Sequence, residues 1–422
     1  MPSHFSAAPT FFDFPFSTRY NRYRSINRKG ALGLKLLHTS DWHLGKSLYE
    51  ASLHDEQSHF INQILALLEQ EAVDAVVLAG DIYDRPLPPG QSVQLYDFFL
   101  SETVKKRGIP VIAIAGNHDS ASRLEFGASL YRESGYYIYG YPKRDIEPVT
   151  LTDRWGEVRF HPIPYLHPAD ARVLLEDSDI RTWQQAYDAL LAHNRPGLDL
   201  SVRNVALAHG FFSDLSGRED VEQITSDSEV NTGGMDIADA ACFAPFDYTA
   251  LGHLHAPQWT VRGKVRYSGT PLKYSLSEEH QTKSVTVVEL GEKGRVDCRI
   301  VPLPPRRDVR VIEGAFDQLS DPAFHTAGSF DDYVFARIHG DTVTYPMEKL
   351  RLLFPRILGL AFVDGLAAQT DIAAAVKPRE TTSMEELFLR FYRDIKGEDI
   401  PPDRLECLRE AMAELEGEER DT

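Results

Sequence analysis

A chain of 422 residues, 42% of them hydrophobic, can bury a large core, and about two or three domains are expected at this length. The formal net charge of −18 excludes a protein that coats nucleic acid through a general basic surface, so any polyanion must be attracted locally. The cysteines are few and widely spaced, at Cys242, Cys298 and Cys407, which excludes a disulfide scaffold and fits a reducing cytoplasm.

Residues 1–33 differ in composition from the rest of the chain. They contain clustered phenylalanines and several arginines, but not the continuous apolar run of a secretory signal. We predict a disordered extension here, with a nucleic-acid-binding arm as the alternative. No later stretch approaches the ~18 to 20 apolar residues that span a bilayer, so we expect no membrane association.

From Leu34 onward, apolar strands alternate with helical patterns. Continuous apolar runs predict strands over 34–39, 74–79, 109–115, 204–208 and 248–251. Apolar residues at spacings of three and four predict a helix over 54–70, and a second helix is predicted over 91–106. This order and the near-continuous apolar strands indicate an α/β fold with parallel strands buried on both faces. Ligands of such sheets bind beyond the carboxyl ends of the strands.

Each of these five strands ends in residues that can bind a divalent metal. The endings read Asp-x-His, Gly-Asp, Gly-Asn-His-Asp, His-Gly and Gly-His-x-His, and the candidate functional side chains among them are Asp41, His43, Asp81, Asn117, His118, His209, His253 and His255. The first ending alone is compatible with a surface turn, and His209 alone with a hydrogen-bonded buried histidine. Five endings of the same kind supply the ligands for two divalent ions.

The five motifs, in this order, resemble those of the calcineurin-like metallophosphoesterase superfamily. Segments 38–45, 80–84, 116–120 and 267–275 are similar, in particular, to bacterial nuclease subunits that are relatives of the double-strand-break repair nucleases of archaea and eukaryotes. The resemblance implies a metallophosphoesterase β-sandwich flanked by helices, with a small α+β capping domain and C-terminal helices. It divides the chain into an uncovered extension (1–33), a nuclease domain (34–303), a capping domain that positions DNA (304–378) and a helical segment (379–422).

The resemblance also implies a role for each polar strand-end residue. Asp41, His43, Asp81 and His255 would bind one metal, and Asp81, Asn117, His209 and His253 the other, with Asp81 as the bridge. Oxygen and imidazole ligands without thiolates suit Mn²⁺ and disfavour a structural zinc site. His118 would contact the scissile phosphate or protonate the leaving oxygen, and a purely structural His118 is the alternative.

Asp84 marks a departure within the superfamily. Archaeal and eukaryotic relatives have a histidine at this position, whereas bacterial members usually have the aspartate found here. Asp84 could orient His118 through a hydrogen bond, but a helix N-cap or turn role is equally open, so we leave it out of the metal set.

The C-terminal region predicts a protein partner. A capping box at Ser383 and Glu386 precedes an apolar stripe, and a second helical pattern follows Pro401-Pro402. The segment 379–422 is acidic, which argues against DNA binding, so this helix pair needs a protein partner or must fold back. The resemblance implies that the pair binds the coiled coil of an SMC-type ATPase. Because the chain has no G-x-x-x-x-G-K-[ST] loop, any ATP dependence must come from another chain.

The strand endings predict a two-metal centre, and the resemblance implies a DNA nuclease in a complex with an SMC-like ATPase. It would act as an exonuclease on duplex ends and an endonuclease on hairpin or single-stranded DNA, using a metal-activated water, in DNA repair and recombination. We expect a dimer of nuclease subunits, associated with the nucleoid in the cytoplasm. The alternatives are a phosphoesterase for nucleotides or phosphoproteins, and a non-catalytic DNA-end tether.

Overall fold

The computed structural model describes residues 33–215, 237–340 and 343–363, together with the short pieces 24–25, 400–401 and 404–405. Its strands, in chain order, are β1 (Arg24–Ser25), β2 (Leu34–Thr39), β3 (Ser47–Leu48), β4 (Ala51–Ser52), β5 (Ala75–Ala79), β6 (Val111–Ile114), β7 (Tyr136–Tyr139), β8 (Val149–Asp153), β9 (Gly156–Ile163), β10 (Arg203–His209), β11 (Phe211–Ser213), β12 (Ile237–Asp239), β13 (Tyr248–Gly252), β14 (Gln258–Val261), β15 (Val265–Tyr267), β16 (Ser284–Leu290), β17 (Val296–Pro302), β18 (Val309–Ala315), β19 (Tyr333–His339) and β20 (Ile357–Phe362). Its α-helices are α1 (His54–Gln70), α2 (Gly90–Leu100), α3 (Ala121–Glu125), α4 (Ala128–Ser134), α5 (Pro168–Leu175), α6 (Trp183–Asn194), α7 (Phe316–Leu319) and α8 (Pro346–Leu353).

Two large sheets carry the strands that the sequence predicted. The first has the order β17-β16-β2-β5-β6-β7, and the second has the order β1-β8-β9-β10-β13-β15-β14. Strands β2, β5 and β6 are parallel neighbours in the first sheet, and β10 and β13 are parallel neighbours in the second. The strand endings with metal-binding residues therefore come from two different sheets.

The two sheets pack face to face, and helices cover their outer faces. The core between the sheets includes Leu36 and Val77 from the first sheet and Val205 and Leu207 from the second, all fully buried. Helices α1 and α2 pack on the outer face of the first sheet, and α5 and α6 pack on that of the second. Burial on both faces explains the near-continuous apolar strands, since each buried aliphatic side chain contributes roughly 1.5–3 kcal/mol.

The predicted helices are present, with one difference. Helix α1 spans the predicted range 54–70, and Phe60, Ile64 and Leu68 lie on its buried face. The predicted helix 91–106 consists of α2 followed by a π-helical segment, Ser101–Lys106. The wider π-helical turn is a change of hydrogen-bond register that apolar spacing does not reveal.

A small third sheet lies C-terminal to the sandwich. Strands β18, β19 and β20 are parallel, and α7 and α8 lie in the two crossovers, so the small α+β region implied by the resemblance has β-α-β-α-β order. Its own core includes Ile312, Leu319, Ile338 and Phe354. An ion pair between Arg307 and Glu56 of α1 connects this unit to the sandwich.

The two chain termini lie largely outside the described residues. Of the predicted extension 1–33, the structure describes Gly33 and Arg24–Ser25, and the latter pairs in parallel with β8. Of the predicted helical segment 379–422, only 400–401 and 404–405 are described. Within the described parts of the chain, none of the helices is long and apolar enough to span a membrane.

Candidate metal centre

The carboxyl ends of β2, β5, β6, β10 and β13 meet at one edge of the sandwich. Hydrogen bonds join the two sheets there: Nδ1 of His209 donates to the Ala79 oxygen (2.8 Å), and the His253 amide donates to Oδ1 of Asp41 (2.9 Å). The seven residues predicted as metal ligands are all brought to this edge, together with His118.

One group of candidate ligands surrounds the amide oxygen of Asn117. Oδ1 of Asn117 lies 2.9 Å from Nε2 of His209 and 3.1 Å from Nδ1 of His253. The same Nε2 of His209 lies 3.4 Å from Oδ2 of Asp81. These four side chains correspond to the second predicted ligand set.

A second group surrounds the ring of His43. Its Nε2 lies 3.8 Å from Oδ2 of Asp81, and its ring centroid lies 5.1 Å from that of His255. Both ring nitrogens of His43 are buried and have no hydrogen-bond partner in the described part of the chain. Buried polar atoms without partners are costly, and a metal ligand is one state that satisfies such a nitrogen. The residues therefore fit a divalent cation, and Asp81 faces both groups.

Several of these residues have an unusual backbone conformation. Asp41, His43 and Asp81 have positive φ angles of 54°, 43° and 49°, in the left-handed region that is unfavourable for residues with a Cβ atom. Hydrogen bonds between the two loops stabilise this conformation, including His43 N–H to the Asp81 oxygen at 3.0 Å. Such strain costs of order 1–3 kcal/mol per residue and clusters at functional sites, where the rest of the fold enforces it.

Two glycines provide room for the ligands. A Cβ atom on Gly80 would lie 2.2 Å from Nδ1 of His209, and a Cβ atom on Gly116 would lie 2.2 Å from Oδ1 of Asp81. Gly80 also has a φ angle of +89°, which favours glycine independently of space. The glycines in the predicted motifs thus allow the backbone to approach the candidate ligands closely.

Burial and neighbouring charges shift the pKa values of both carboxylates of the centre, Asp41 and Asp81. Burial and the neighbouring Asp81 charge raise the pKa of Asp41 to about 7, although His209 and His255 oppose this shift. Burial also opposes ionisation of Asp81, but the imidazoles of His209 and His43 outweigh it and lower the pKa of Asp81. Against the effect of burial, Asp81 and Asp41 raise the pKa of His209 to about 9. The ionised Asp81 carboxylate is thus the group of the centre whose negative charge the neighbouring histidines favour.

His118 is positioned between the centre and the loop after β5. Its main-chain N–H donates to Oδ1 of Asp81 (2.8 Å), and its Nδ1 donates to the main-chain oxygen of Asp84 (2.8 Å). Its ring centroid lies 4.8 Å from that of His43. Because the carbonyl oxygen can only accept, the proton is on Nδ1, and Nε2 remains available for proton transfer.

Asp84 orients His118 through its main chain, whereas its carboxylate has other neighbours. Oδ1 of Asp84 lies 3.0 Å from Nζ of Lys46 and 3.8 Å from Nδ1 of His43. The carboxylate and the rings of His43 and His118 do form a cluster with ligand atoms within 4.8 Å of one another. Of the roles left open by the sequence, the hydrogen bond to His118 is present, but it is made by the carbonyl group.

We expect the substitution Asp84→Asn to reduce activity by less than about tenfold. The main-chain carbonyl that orients His118 is retained, and a partly exposed pair such as Lys46–Asp84 contributes only about 0.2–1 kcal/mol. Steady-state kinetics on a phosphodiester substrate with saturating metal tests this expectation. A loss above about a hundredfold, or weaker metal binding, would instead assign the carboxylate to the metal set.

Two acidic residues of the centre were missed by the sequence analysis. The Asp119 carboxylate accepts the main-chain N–H groups of Ile82, Tyr83 and Gly116 at 2.9–3.1 Å, and so ties together the loops after β5 and β6. Glu278 accepts from Nδ1 of His255 at 2.9 Å. Asp119 is the last residue of the Gly-Asn-His-Asp ending, to which the sequence analysis assigned no role, whereas the Ser-Glu-Glu-His context of Glu278 reads as an exposed loop.

The fold and this centre agree with a comparison to known families. The model of the calcineurin-like phosphoesterase family matches residues 34–257, more than half of the chain, and the chain belongs to this family. It is therefore an enzyme of phosphoester hydrolysis, and divalent metal ions are the cofactors that this family implies.

The chain is also similar to a curated protein over nearly its whole length. It is 28% identical over 386 residues to SbcD of the nuclease SbcCD from Staphylococcus epidermidis. The match covers 91% of this chain and 100% of that protein. The similarity thus extends beyond the phosphoesterase domain into the small third sheet.

Proposed function

We propose that the chain is a metal-dependent DNA nuclease. The observation that carries this proposal is the convergence, at one edge of the sandwich, of Asp41, His43, Asp81, Asn117, His209, His253 and His255. The buried ring nitrogens of His43 in this group have no hydrogen-bond partner among the described residues. The match to a nuclease subunit over its full length supports DNA as the substrate, because a family member for small substrates has no need of the C-terminal region.

In this proposal the centre holds two divalent ions. Asp41, His43, Asp81 and His255 would hold one ion, and Asp81, Asn117, His209 and His253 would hold the other, so that Asp81 would belong to both ligand sets. Mn²⁺ is the expected metal, because the ligands are oxygen and imidazole without thiolate. The ions, when bound, supply positive charge that polarises the phosphodiester and activates water.

The side chains of the protein perform the remaining steps. His118 is fixed by Asp81 and the Asp84 carbonyl, which leaves Nε2 as the ring nitrogen that can hold a proton for the leaving oxygen of the DNA strand. The Asp84 carbonyl accepts from Nδ1 whether or not Nε2 is protonated, so the ring keeps its orientation during transfer.

The same proposal assigns roles to the other regions. Residues 34–303 form the nuclease domain, 304–378 position DNA as a capping domain, and 379–422 bind the ATPase partner, whereas 1–33 form an extension that the activity does not require. The partner is an SbcC-like SMC-type ATPase, as the name of the Staphylococcus relative suggests. The nuclease subunit acts as a dimer, at the nucleoid in the cytoplasm, in DNA repair and recombination.

A nuclease assay with the purified full-length chain tests this function. We expect Mn²⁺-dependent degradation of linear duplex DNA from its ends and cleavage of hairpin or single-stranded DNA. EDTA should abolish both activities and added Mn²⁺ should restore them, because the ions would supply the positive charge that polarises the phosphodiester and activates water. Addition of the ATPase subunit with ATP should increase the rate on duplex ends.

The alternatives give different results in the same assay. Hydrolysis of nucleotides or phosphoproteins, while DNA is left uncleaved, would identify a phosphoesterase for those substrates. DNA binding without turnover above that of His118→Ala, at any Mn²⁺ concentration, would identify an end tether.

A further inference from the structure

The ring of His255 is fixed by a buried carboxylate. Its Nδ1 lies 2.9 Å from Oε1 of Glu278, and the side chain of Glu278 is fully buried. Since the carboxylate accepts, the proton is on Nδ1, and Nε2 keeps its lone pair for a metal ion.

Lys283 neutralises Glu278 and contacts the same histidine. Its Nζ lies 2.6 Å from Oε2 of Glu278 and donates to the main-chain oxygen of His255 at 3.1 Å. The Tyr274 amide also donates to Oε2 of Glu278, at 3.2 Å. One buried ion pair therefore fixes both the ring and the backbone of His255.

The histidines His209 and His43 have no comparable support within the described residues. Nδ1 of His209 donates to a neutral main-chain oxygen, that of Ala79, and the ring of His43 has no hydrogen-bond partner there. A carboxylate acceptor increases the basicity of an imidazole ligand more than a carbonyl does, and it fixes the tautomer. A buried ion pair gives little net stability by comparison with apolar residues of the same volume, so stability alone does not account for this pair.

We propose that Glu278, held in place by Lys283, is a positioning residue that tightens metal binding at the His255 side of the centre. This inference rests on the proposed metal centre and deepens it. It concerns metal affinity only, and so does not depend on which phosphoester is hydrolysed.

The neighbouring Glu279 provides a matched control. It belongs to the same turn and has the same charge, but its Oε2 accepts the Val311 N–H of the small third sheet at 2.8 Å. Glu279→Gln removes one charge from this turn and leaves the contacts of Glu278 intact.

The test is direct Mn²⁺ binding to the full-length chain, by titration calorimetry and by the electron paramagnetic resonance signal of free Mn²⁺. We expect two bound ions in the wild type. In Glu278→Gln, the affinity for one ion should fall about 10–100-fold, because this is the usual effect of removing a hydrogen-bond partner of a metal ligand, and the other ion should bind as before. Glu279→Gln should bind both ions like the wild type.

A double variant, Glu278→Gln with Lys283→Met, controls for folding, because it removes both buried charges together; thermal melting verifies that each variant is folded. We expect the same weakened site in this variant. The proposal would be overturned if folded Glu278→Gln or the folded double variant bound both ions as tightly as the wild type. Equal weakening of both ions in these variants would also overturn it, as would a loss of metal affinity of the same size in Glu279→Gln. Two bound ions without DNA cleavage would contradict the nuclease function and leave this inference intact.

Discussion

Replacement of Asp81 by asparagine is expected to lower DNA hydrolysis by about 10³-fold or more. Oδ2 of Asp81 lies 3.8 Å from Nε2 of His43 and 3.4 Å from Nε2 of His209, so the carboxylate faces both groups of candidate ligands. Asparagine retains the shape but loses the charge that would hold two cations together. Metal ions supply several kcal/mol of transition-state stabilisation, and each 1.36 kcal/mol corresponds to about a factor of ten in rate.

The same variant should also lose the stabilisation that Mn²⁺ gives to the wild type. A ligand that binds only the folded state at one hundred times its dissociation constant stabilises the protein by about 2.7 kcal/mol. Thermal melting with and without Mn²⁺ measures this difference. A metal-dependent rise in melting temperature equal to that of the wild type would show that Asp81 does not hold the ions.

Asp153→Asn is a suitable control for the loss of a buried acid. The Asp153 carboxylate accepts from the buried guanidinium of Arg203 at 2.9 Å, and its side chain is only 7% exposed. Removing one partner of a buried ion pair costs about 3–5 kcal/mol. This variant should therefore melt at a lower temperature in the metal-free form but keep the full Mn²⁺-dependent rise.

The strand endings could be predicted from the sequence because each one has a characteristic pattern of neighbouring residues. An apolar run followed by glycine and a polar residue predicts a buried parallel strand and a ligand at its carboxyl end, as at Gly80-Asp81 and Gly252-His253. The structure places these residues together, as the pattern indicates, although they come from two sheets. The pattern contains no information about which strands share a sheet, because every one of them is buried on both faces.

The supporting residues could not be read in the same way. Glu278 and Lys283 are five positions apart in a polar stretch, and only tertiary contacts show that both are buried against His255. The left-handed conformations of Asp41 and His43 are likewise enforced by hydrogen bonds to the loop after β5, which is distant in sequence. Propensity alone opposes these conformations, so the sequence carries no local signal for them.

The substitution His118→Ala distinguishes the two roles that the resemblance leaves open for this histidine. If Nε2 protonates the leaving oxygen, DNA hydrolysis should fall about 10²–10⁴-fold, the usual contribution of general acid catalysis. Metal binding should remain unchanged, because His118 lies outside the proposed ligand set and its Nδ1 donates to the Asp84 carbonyl. Kinetics on DNA and Mn²⁺ titration of the same preparation measure the two quantities.

A substrate that needs no proton completes the test. In the 4-nitrophenyl ester of thymidine 5′-monophosphate, 4-nitrophenolate leaves as a stable anion, so loss of a general acid should reduce its hydrolysis by no more than about tenfold. An equally large loss on both substrates would assign His118 to phosphate binding, because that contact is required whatever the leaving group. Both roles use the same atom, because Nδ1 is bound to the Asp84 carbonyl and the main-chain N–H is bound to Asp81, which leaves Nε2 for the substrate. The dependence of the loss on the leaving group is therefore what separates proton transfer from phosphate binding.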